Sequence, residues 1–376
     1  MNFEFTDEQR ALQSTLQRFV QRHYGFEQRR EIMWRGGFSR EVWRALADIG
    51  VLALNVPEAH GGLATAAGGS PVETLVALQA LGAALVLEPV LSSAVIASTL
   101  IADGVHAQQQ AAWLAALAAG ECIAVLAHFE PASRGDDARI ATRAERRNGQ
   151  VMLHGHKAVV AHAGVADDLL VSALDGQGVS LWRVPRDAAG LRIKPYPTFD
   201  AQQAAEVELN AVVLPDTAVI GAAGAAQPAI ERALDVGLAA LCAEAVGVMD
   251  AAVAATIEYL KTRQQFGQPI GRFQALQHRV ADMLIHLEQA RSMSLLATAR
   301  CRDTDACARR RVLSAAKVVI GQASRFIGQQ AVQLHGGMGM ADELIVSHYF
   351  KRLTAIELTL GDTDTHLQRF VALSTC

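Results

Sequence analysis

The sequence predicts an α+β fold, mainly α, in three consecutive regions: an N-terminal helical domain, a middle antiparallel β domain and a C-terminal four-helix bundle. Three observations predict it. Apolar residues recur at helical spacing at both ends of the chain. Between them the pattern shifts to short β-prone runs punctuated by Asn148-Gly149 and Asp175-Gly176, pairs that supply the positive φ angles of tight hairpin turns. The last region then resolves into four long helical stretches with short joints, the pattern of a bundle. The expected domains are residues 1–120, 121–225 and 226–376.

Each region has its own start and stop signals. Thr6 and Gln9 fit a capping box, Phe5 stands where a hydrophobic staple would be, and Leu12, Leu16, Phe19 and Val20 follow at helical spacing. A helix restarts at Ser39 and stops at Gly50, and "VPEAHGG" reads as a loop. "SPVETLVALQALGAALVLEP" reads as one helix, with Pro71 near its start and Pro89 just past its end. Residues 64–70 are rich in Ala and Gly and read as a mobile joint. In the middle region the two turn pairs separate "ARIATRAER" from "QVMLHGHKAVV" and "DLLVSAL" from "GVSLWRVP", and "AAEVELNAVVLP" closes the region as a strand. The bundle helices are expected from Gln227 to Arg263, from Gln274 to Arg302, from Ala308 to His335 and from Val346 to Leu360, the third ended by Gly336-Gly337 and the fourth by Gly361.

Composition excludes several classes. Half the residues are hydrophobic (51%), enough for a large core, and the net charge is −4. No basic stripe or tail marks a nucleic-acid partner. The start, "MNFEFTDEQRALQ", is acidic and lacks the apolar run of a secretory signal. No uninterrupted apolar stretch reaches the roughly 20 residues of a membrane span. The expectation is a soluble cytoplasmic protein. Five scattered cysteines argue against a disulfide framework, and the pair in "CRDTDAC" lacks the second pair that a zinc site wants.

Two motif blocks carry the chemistry. "YLKTRQQFGQPIGRFQALQHRVADM" contains Arg263, Phe266 and Gln274, and "QQAVQLHGGMGM" contains Gln333, Gly336 and Gly337. Arg offers a fixed fork of donors for pyrophosphate oxygens, an aromatic covers a ring, and glycine lets backbone approach phosphate and ribose. Taken singly, the first block is also consistent with a helix–turn–helix joint with Phe266 in the core, and the second with a helix C-cap. Together the blocks resemble the acyl-CoA dehydrogenase family, and the resemblance extends over nearly the whole chain. It implies FAD as cofactor and these six residues as cofactor-binding, with Arg263 and Phe266 reaching the FAD of a neighbouring subunit and the Gln333, Gly336 and Gly337 element bringing backbone close to the dinucleotide. It implies an acyl-CoA substrate oxidised to the trans-2-enoyl-CoA, an electron-transfer flavoprotein as acceptor, and a homo- or hetero-tetramer.

The flavin-ring side departs from the family pattern. Where the family has "T-E-P-x-A-G-S-D", this chain has "FEPASRGDD": Phe129 replaces Thr and Gly135 replaces Ser, while Glu130, Pro131 and Asp136 remain. Where the family has "K-x-W-I-T-N", it has "KAVVAH", with Val159, Ala161 and His162 at the Trp, Thr and Asn positions. The family's base, a Glu in "Y-E-G-T-S-x-I-Q-R", faces "LGDTDTHLQR". Aligning the Gln-Arg pair places Asp362 at the base, and a shift by one leaves Gly361 there. An alternative base position on the first bundle helix falls near Gly237, with Leu238 in place of a common Arg. Asp is one methylene shorter than Glu, and a displacement of about 1 Å costs on the order of a hundredfold where geometry is strict.

"ALCAEAVGVMD", "LEQARSM", "IGQQAVQLHGG" and "HYFKRLT…GD" resemble the small subunit of a pimeloyl-CoA dehydrogenase, a type that pairs two unlike chains. Three functions follow from these residues. The chain is a catalytic FAD-dependent acyl-CoA dehydrogenase with Asp362 as base, or a half-site subunit that completes a partner's FAD site, or a flavin oxidase or monooxygenase acting on a non-CoA substrate.

Overall fold

The computed structural model describes residues 4–64, 69–104, 107–133 and 137–375. In chain order the helices begin with α1 (Asp7–His23), α2 (Phe26–Trp34), α3 (Arg40–Asp48) and α4 (Pro71–Ala83). A π-helical run over Val90–Ala97 leads into α5 (Ser98–Asp103), and α6 (Ala107–Ala118) follows. The strands are β1 (Ala124–Ala127), β2 (Arg143–Arg147), β3 (Gln150–Ala161), β4 (Asp168–Leu174), β5 (Val179–Pro185), β6 (Leu191–Pro197), β7 (Gln203–Pro215) and β8 (Val219–Ile220). Then come α7 (Gln227–Thr262), a short hairpin of β9 (Gln264–Gln265) and β10 (Gln268–Pro269), α8 (Gln274–Arg300), α9 (Ala306–His335), α10 (Ile345–Leu358) and α11 (Thr363–Ala372). This is the expected order: a helical N-terminal part, a central sheet and a C-terminal helical domain.

The capping signals act as read. The Thr6 side chain accepts from the Gln9 backbone while the Gln9 side chain accepts from the Thr6 backbone, and Ser39 caps α3 by accepting from Val42. The helix expected from Ser70 to Pro89 is shorter. It ends at Ala83 because Leu85 adopts a left-handed φ of 56°, which no helix interior permits. The bundle region holds a fifth helix, α11, which starts where Asp362 caps it. Residues 65–68 of the Ala/Gly-rich joint lie outside the described residues.

The chain divides into two compact units. One comprises Met1–Glu31, Pro71–Val86 and Leu238–Cys376. Within it α9 packs against α8, α10 and α11, and α1 lies on α4. Glycines let α4 and the buried part of α7 touch backbone to backbone. A Cβ at Gly247 would stand 2.0 Å from the Gln79 carbonyl, and one at Gly82 would stand 2.5 Å from that of Glu244. The Glu244 carboxylate is buried against Arg352 of α10 at 2.7 Å. By length and composition α7 is apolar enough to cross a membrane, but 89% of its most apolar window is buried within the protein, so it is a core helix.

The other unit comprises Ile32–Ser70 and Leu87–Gly237 and holds the sheet, ordered β6-β7-β3-β2-β4-β5-β8. Asn148-Gly149 closes the β2–β3 hairpin with both φ angles positive, and Asp175–Gly178 closes β4–β5. The sheet is mixed rather than wholly antiparallel. β1 runs parallel to β4 on a branch of its own, and β2 meets β4 in parallel at Arg143 and Leu174. β1 is separated from β2 by residues 128–142, long enough to cross over, which a tight-turn reading does not register.

Candidate functional site

The first motif block forms a corner at the end of α7. The Arg263 N–H still donates to the Tyr259 carbonyl at 2.8 Å, so the arginine continues the last helical turn. The chain then reverses through the β9–β10 hairpin, whose two turn residues, Phe266 and Gly267, both have positive φ (54° and 75°). An aromatic in the left-handed region is uncommon, because its Cβ crowds the backbone there. Phe266 is not in the core: it is 90% exposed, and its ring stands T-shaped to that of Phe273, 5.9 Å away centroid to centroid. The Arg263 guanidinium is exposed and makes no hydrogen bond or ion pair among the described residues. Gln274 opens α8 just after the hairpin and is exposed as well.

The second block ends α9. Gln333 lies exposed on its last turn, and Gly336 stops the helix at φ 62°, ψ −144°, a conformation essentially reserved for glycine. The helix-cap reading therefore holds for Gly336. Both Gly336 and Gly337 are exposed, and a Cβ built on either meets nothing within 4 Å. The two blocks are brought together by one residue of each that the motif reading did not single out. Tyr259 and His335 stack with ring centroids 4.3 Å apart, and the Tyr259 hydroxyl donates to the His335 carbonyl at 3.4 Å. In the sequence they stand as an aromatic one helical turn before Arg263 and another directly before the glycines, with nothing to mark them as partners.

Asp362 stands apart from this corner in the sequence and has a different occupation. It is the N-cap of α11, and its carboxylate accepts the Thr365 N–H at 2.8 Å. The hydrogen bonds from Thr365 hold its pKa below the usual carboxylate range. The loop before it is fastened at every step. Lys317, fully buried on α9, donates to the carbonyls of Glu357 and Gly361. The His366 ring donates to the Leu360 carbonyl at 2.9 Å, and the Glu357 carboxylate accepts from Thr363 N–H and Arg325. These bonds hold Leu360 and Gly361 at positive φ, 59° and 101°. At the alternative base position α7 presents Gly237 and Leu238, both buried and neither ionisable.

In the sheet unit the two departing segments are tied to each other. Lys157, fully buried, donates to the Glu130 carboxylate at 2.7 Å, to Ser172 Oγ at 3.1 Å and to the His128 carbonyl at 3.1 Å. Glu130 also accepts from Ala141 N–H and from the N–H and hydroxyl of Thr142. Burial pushes the Glu130 carboxyl up, but the bonds from Lys157 and Thr142 outweigh it and hold the group ionised. Burial takes Lys157 down to about 8, which leaves it protonated at neutral pH. Ser172 passes the chain on to His128 Nδ1 at 2.9 Å, and His128 Nε2 donates to the Asp137 carbonyl at 2.8 Å. Glu130 and Lys157 are therefore structural partners. A bulge follows Lys157 in β3, and it turns Val159 outward at φ 52° and 63% exposed. His162 is buried with both ring nitrogens engaged, Nδ1 with Ser92 Oγ at 3.0 Å and Nε2 with the Leu87 carbonyl at 2.9 Å, so it offers a flavin no free ring atom. Gly135 and Asp136 lie outside the described residues.

An exposed aromatic, a guanidinium unpartnered among the described residues and two open glycines share one corner of the bundle unit, a set that suits a dinucleotide: a cation for the pyrophosphate and backbone without side chains beside it. The comparisons agree on the class. The signature of the acyl-CoA dehydrogenase N-terminal domain matches residues 6–121, and that of the C-terminal domain matches residues 227–372. The chain belongs to the acyl-CoA dehydrogenase family, oxidoreductases acting on CH–CH donors with FAD as cofactor. Acyl-CoA substrates and an electron-transferring flavoprotein partner are typical of that family. Over 99% of its length the chain is 28% identical to the probable acyl-CoA dehydrogenase YngJ of Bacillus subtilis, of which 98% is covered. Among solved structures it is 30% identical to a variant of the Tcur3481–Tcur3483 steroid ACAD, at a TM-score of 0.88 and 98% coverage of both chains. It is 25% identical to a chain of the ChsE4–ChsE5 complex of Mycobacterium tuberculosis, at a TM-score of 0.88, covering 100% of this chain and 99% of that one.

Proposed function

We propose that this chain is one subunit of a cytoplasmic FAD-dependent acyl-CoA dehydrogenase built from two unlike chains, and that it supplies the dinucleotide-holding corner rather than the base. Bound FAD supplies the hydride acceptor for α,β-dehydrogenation of the acyl thioester. Arg263 would pair with the pyrophosphate, Phe266 would cover a ring, and Gln333 with Gly336-Gly337 would let the backbone approach the ribose and phosphates. The unlike chain would supply the carboxylate that removes the α-proton, and an electron-transfer flavoprotein would take the electrons.

The observation that carries this reading is the contrast between two exposures. The corner is presented to solvent with Arg263 unpartnered among the described residues and Phe266 90% exposed. The carboxylate that the Gln-Arg alignment places at the base position, Asp362, is committed to a helix cap. Both solved relatives cited above are named as pairs, Tcur3481–Tcur3483 and ChsE4–ChsE5, which supports an unlike partner here. The resemblance to a pimeloyl-CoA dehydrogenase small subunit makes dicarboxylyl-CoA thioesters the first substrates to try.

The experiment expresses the chain alone and together with an acyl-CoA dehydrogenase-like chain encoded beside it. Flavin per chain and bleaching of the flavin band by a panel of acyl-CoA thioesters are then measured. The expected result is fewer FAD molecules than chains in the joint assembly, and bleaching only there. Stoichiometric FAD and full bleaching from this chain alone would overturn the reading and restore Asp362 as a working base. Rapid oxygen consumption with a non-CoA substrate would replace it with an oxidase.

A further inference from the structure

We propose that Tyr259 and His335 are positioning residues of the dinucleotide corner: their stack joins the end of α7 to the end of α9, so that Arg263 and Gly336-Gly337 act as one surface. The inference rests on the reading that this corner holds FAD.

The two motif blocks belong to different helices, α7 and α9. The hairpin that carries Phe266 is exposed from Gln264 to Gly267, so its tip is not held by packing. Gly336 and Gly337 are exposed too. The link lies one layer deeper. The Tyr259 and His335 rings lie 4.3 Å apart and 26° from parallel, and the Tyr259 hydroxyl reaches the His335 carbonyl. His335 is itself oriented: its Nδ1–H donates to the Ala331 carbonyl at 2.8 Å, one turn back in α9. That bond fixes the neutral tautomer and the ring plane. Burial also lowers the pKa of His335, so the ring stays uncharged against its neighbour.

From this stack both blocks are reached in one step. Arg263 is one helical turn beyond Tyr259, about 6 Å, and Gly336 is the next residue after His335, about 4 Å. The hydrogen bond goes to the carbonyl of His335, the last group before the chain turns at Gly336. A side chain that gripped only the ring would leave that turn free to swing. Holding both ring and carbonyl sets the direction in which the glycine turn leaves the helix. A cation and an open backbone gain as a joint anion site only if their separation is fixed before the ligand arrives.

The test is a double-mutant cycle on FAD affinity. The full-length chain is used in its native assembly with flavin removed, FAD is titrated back by fluorescence quenching, and the melting point of the flavin-free assembly is recorded alongside. Tyr259→Ala is expected to weaken FAD binding about tenfold, and Tyr259→Phe, which keeps the ring, to restore most of it. In an Arg263→Ala background Tyr259→Ala is expected to add less than about twofold, because Tyr259 acts through the arginine. A purely structural role would lower the melting point, leave affinity unchanged and show no such coupling. If Tyr259→Ala does not fold, His335→Ala carries the same cycle from the other helix. Loss with Arg263→Ala but none with Tyr259→Ala or His335→Ala, or fully additive losses, would overturn the positioning role and leave the corner's function standing. No loss with Arg263→Ala, or no FAD in the unsubstituted assembly, would overturn both.

Discussion

The carboxylate of Asp362 accepts the backbone N–H of Thr365 at 2.8 Å, and this bond ties the side chain to the first turn of α11. The cap is one of four fastenings on the segment from Glu357 to His366; the others come from Lys317, His366 and Glu357. A carboxylate held this way is a weak base, because removing a proton from substrate means giving up a bond that favours its charged form.

Asp362→Asn is therefore expected to keep both stability and acyl-CoA-dependent bleaching in the joint assembly, since Asn caps a helix as well as Asp. Asp362→Ala should lower stability by about 1 kcal/mol, the usual worth of an N-cap, without changing the bleaching rate. Stopped-flow reduction of the two variants checks this. Loss of bleaching in the Asn variant at unchanged flavin content would make Asp362 catalytic.

Lys157 and Glu130 form a buried pair in which every polar atom is bonded. Lys157→Met should destabilise by about 3–5 kcal/mol, because it leaves a carboxylate unpaired in the interior. Adding Glu130→Gln should recover part of that loss by removing the stranded charge. Urea unfolding of the unsubstituted chain and of the two variants measures it. A double variant no more stable than Lys157→Met would show that packing, not charge, sets the cost.

Acid sensitivity follows from two buried histidines. Burial takes His128 down to about 4, aided by the Lys157 charge. Burial likewise takes His366 to about 4, with Lys317 and Arg369 adding to the effect. Both rings stay neutral in the fold while the unfolded chain gains protons below its ordinary value near 6.5. Their contribution is present above about pH 6.5 and is lost as pH falls toward 4, at about 2 kcal/mol each between pH 7 and pH 5. Unfolding free energies at those two pH values should differ accordingly, and His366→Gln should reduce the difference by about 2 kcal/mol. An unchanged difference in that variant would assign the sensitivity to other groups.

The contact of α4 with α7 makes Gly247 intolerant of any side chain. A methyl there would sit 2.0 Å from the Gln79 carbonyl, so Gly247→Ala should cost about 2 kcal/mol or more, as overpacking between rigid elements does. Gly149→Ala, with nothing within 4 Å of its Cβ but a φ of 76°, should cost less than Gly247→Ala. Calorimetry of the pair separates steric exclusion from backbone conformation, and equal losses would contradict the close contact.

By itself the sequence determined what depends on near neighbours along the chain. Thr6 with Gln9, Ser39 with Val42 and the Asn148-Gly149 turn each act through bonds spanning a few residues, so their residue types suffice to place the element. The family and its cofactor followed from Arg263, Phe266, Gln333 and the glycines for a similar reason: each motif is a local run. What the tertiary structure decided lies at longer range. Phe266 has the composition of a core residue, and only the left-handed turn beneath it turns the ring to solvent. His162 became a bonded strut rather than a free ring because Leu87 and Ser92, more than 70 residues away or close to it, come to meet it. The stack of Tyr259 on His335 joins residues 76 positions apart, a separation at which no periodicity or turn signal survives. Backbone bonding is local and can be read from neighbours. The pairing of buried polar and aromatic groups is set by where the helices and strands bring them, so it is legible only once the chain is folded.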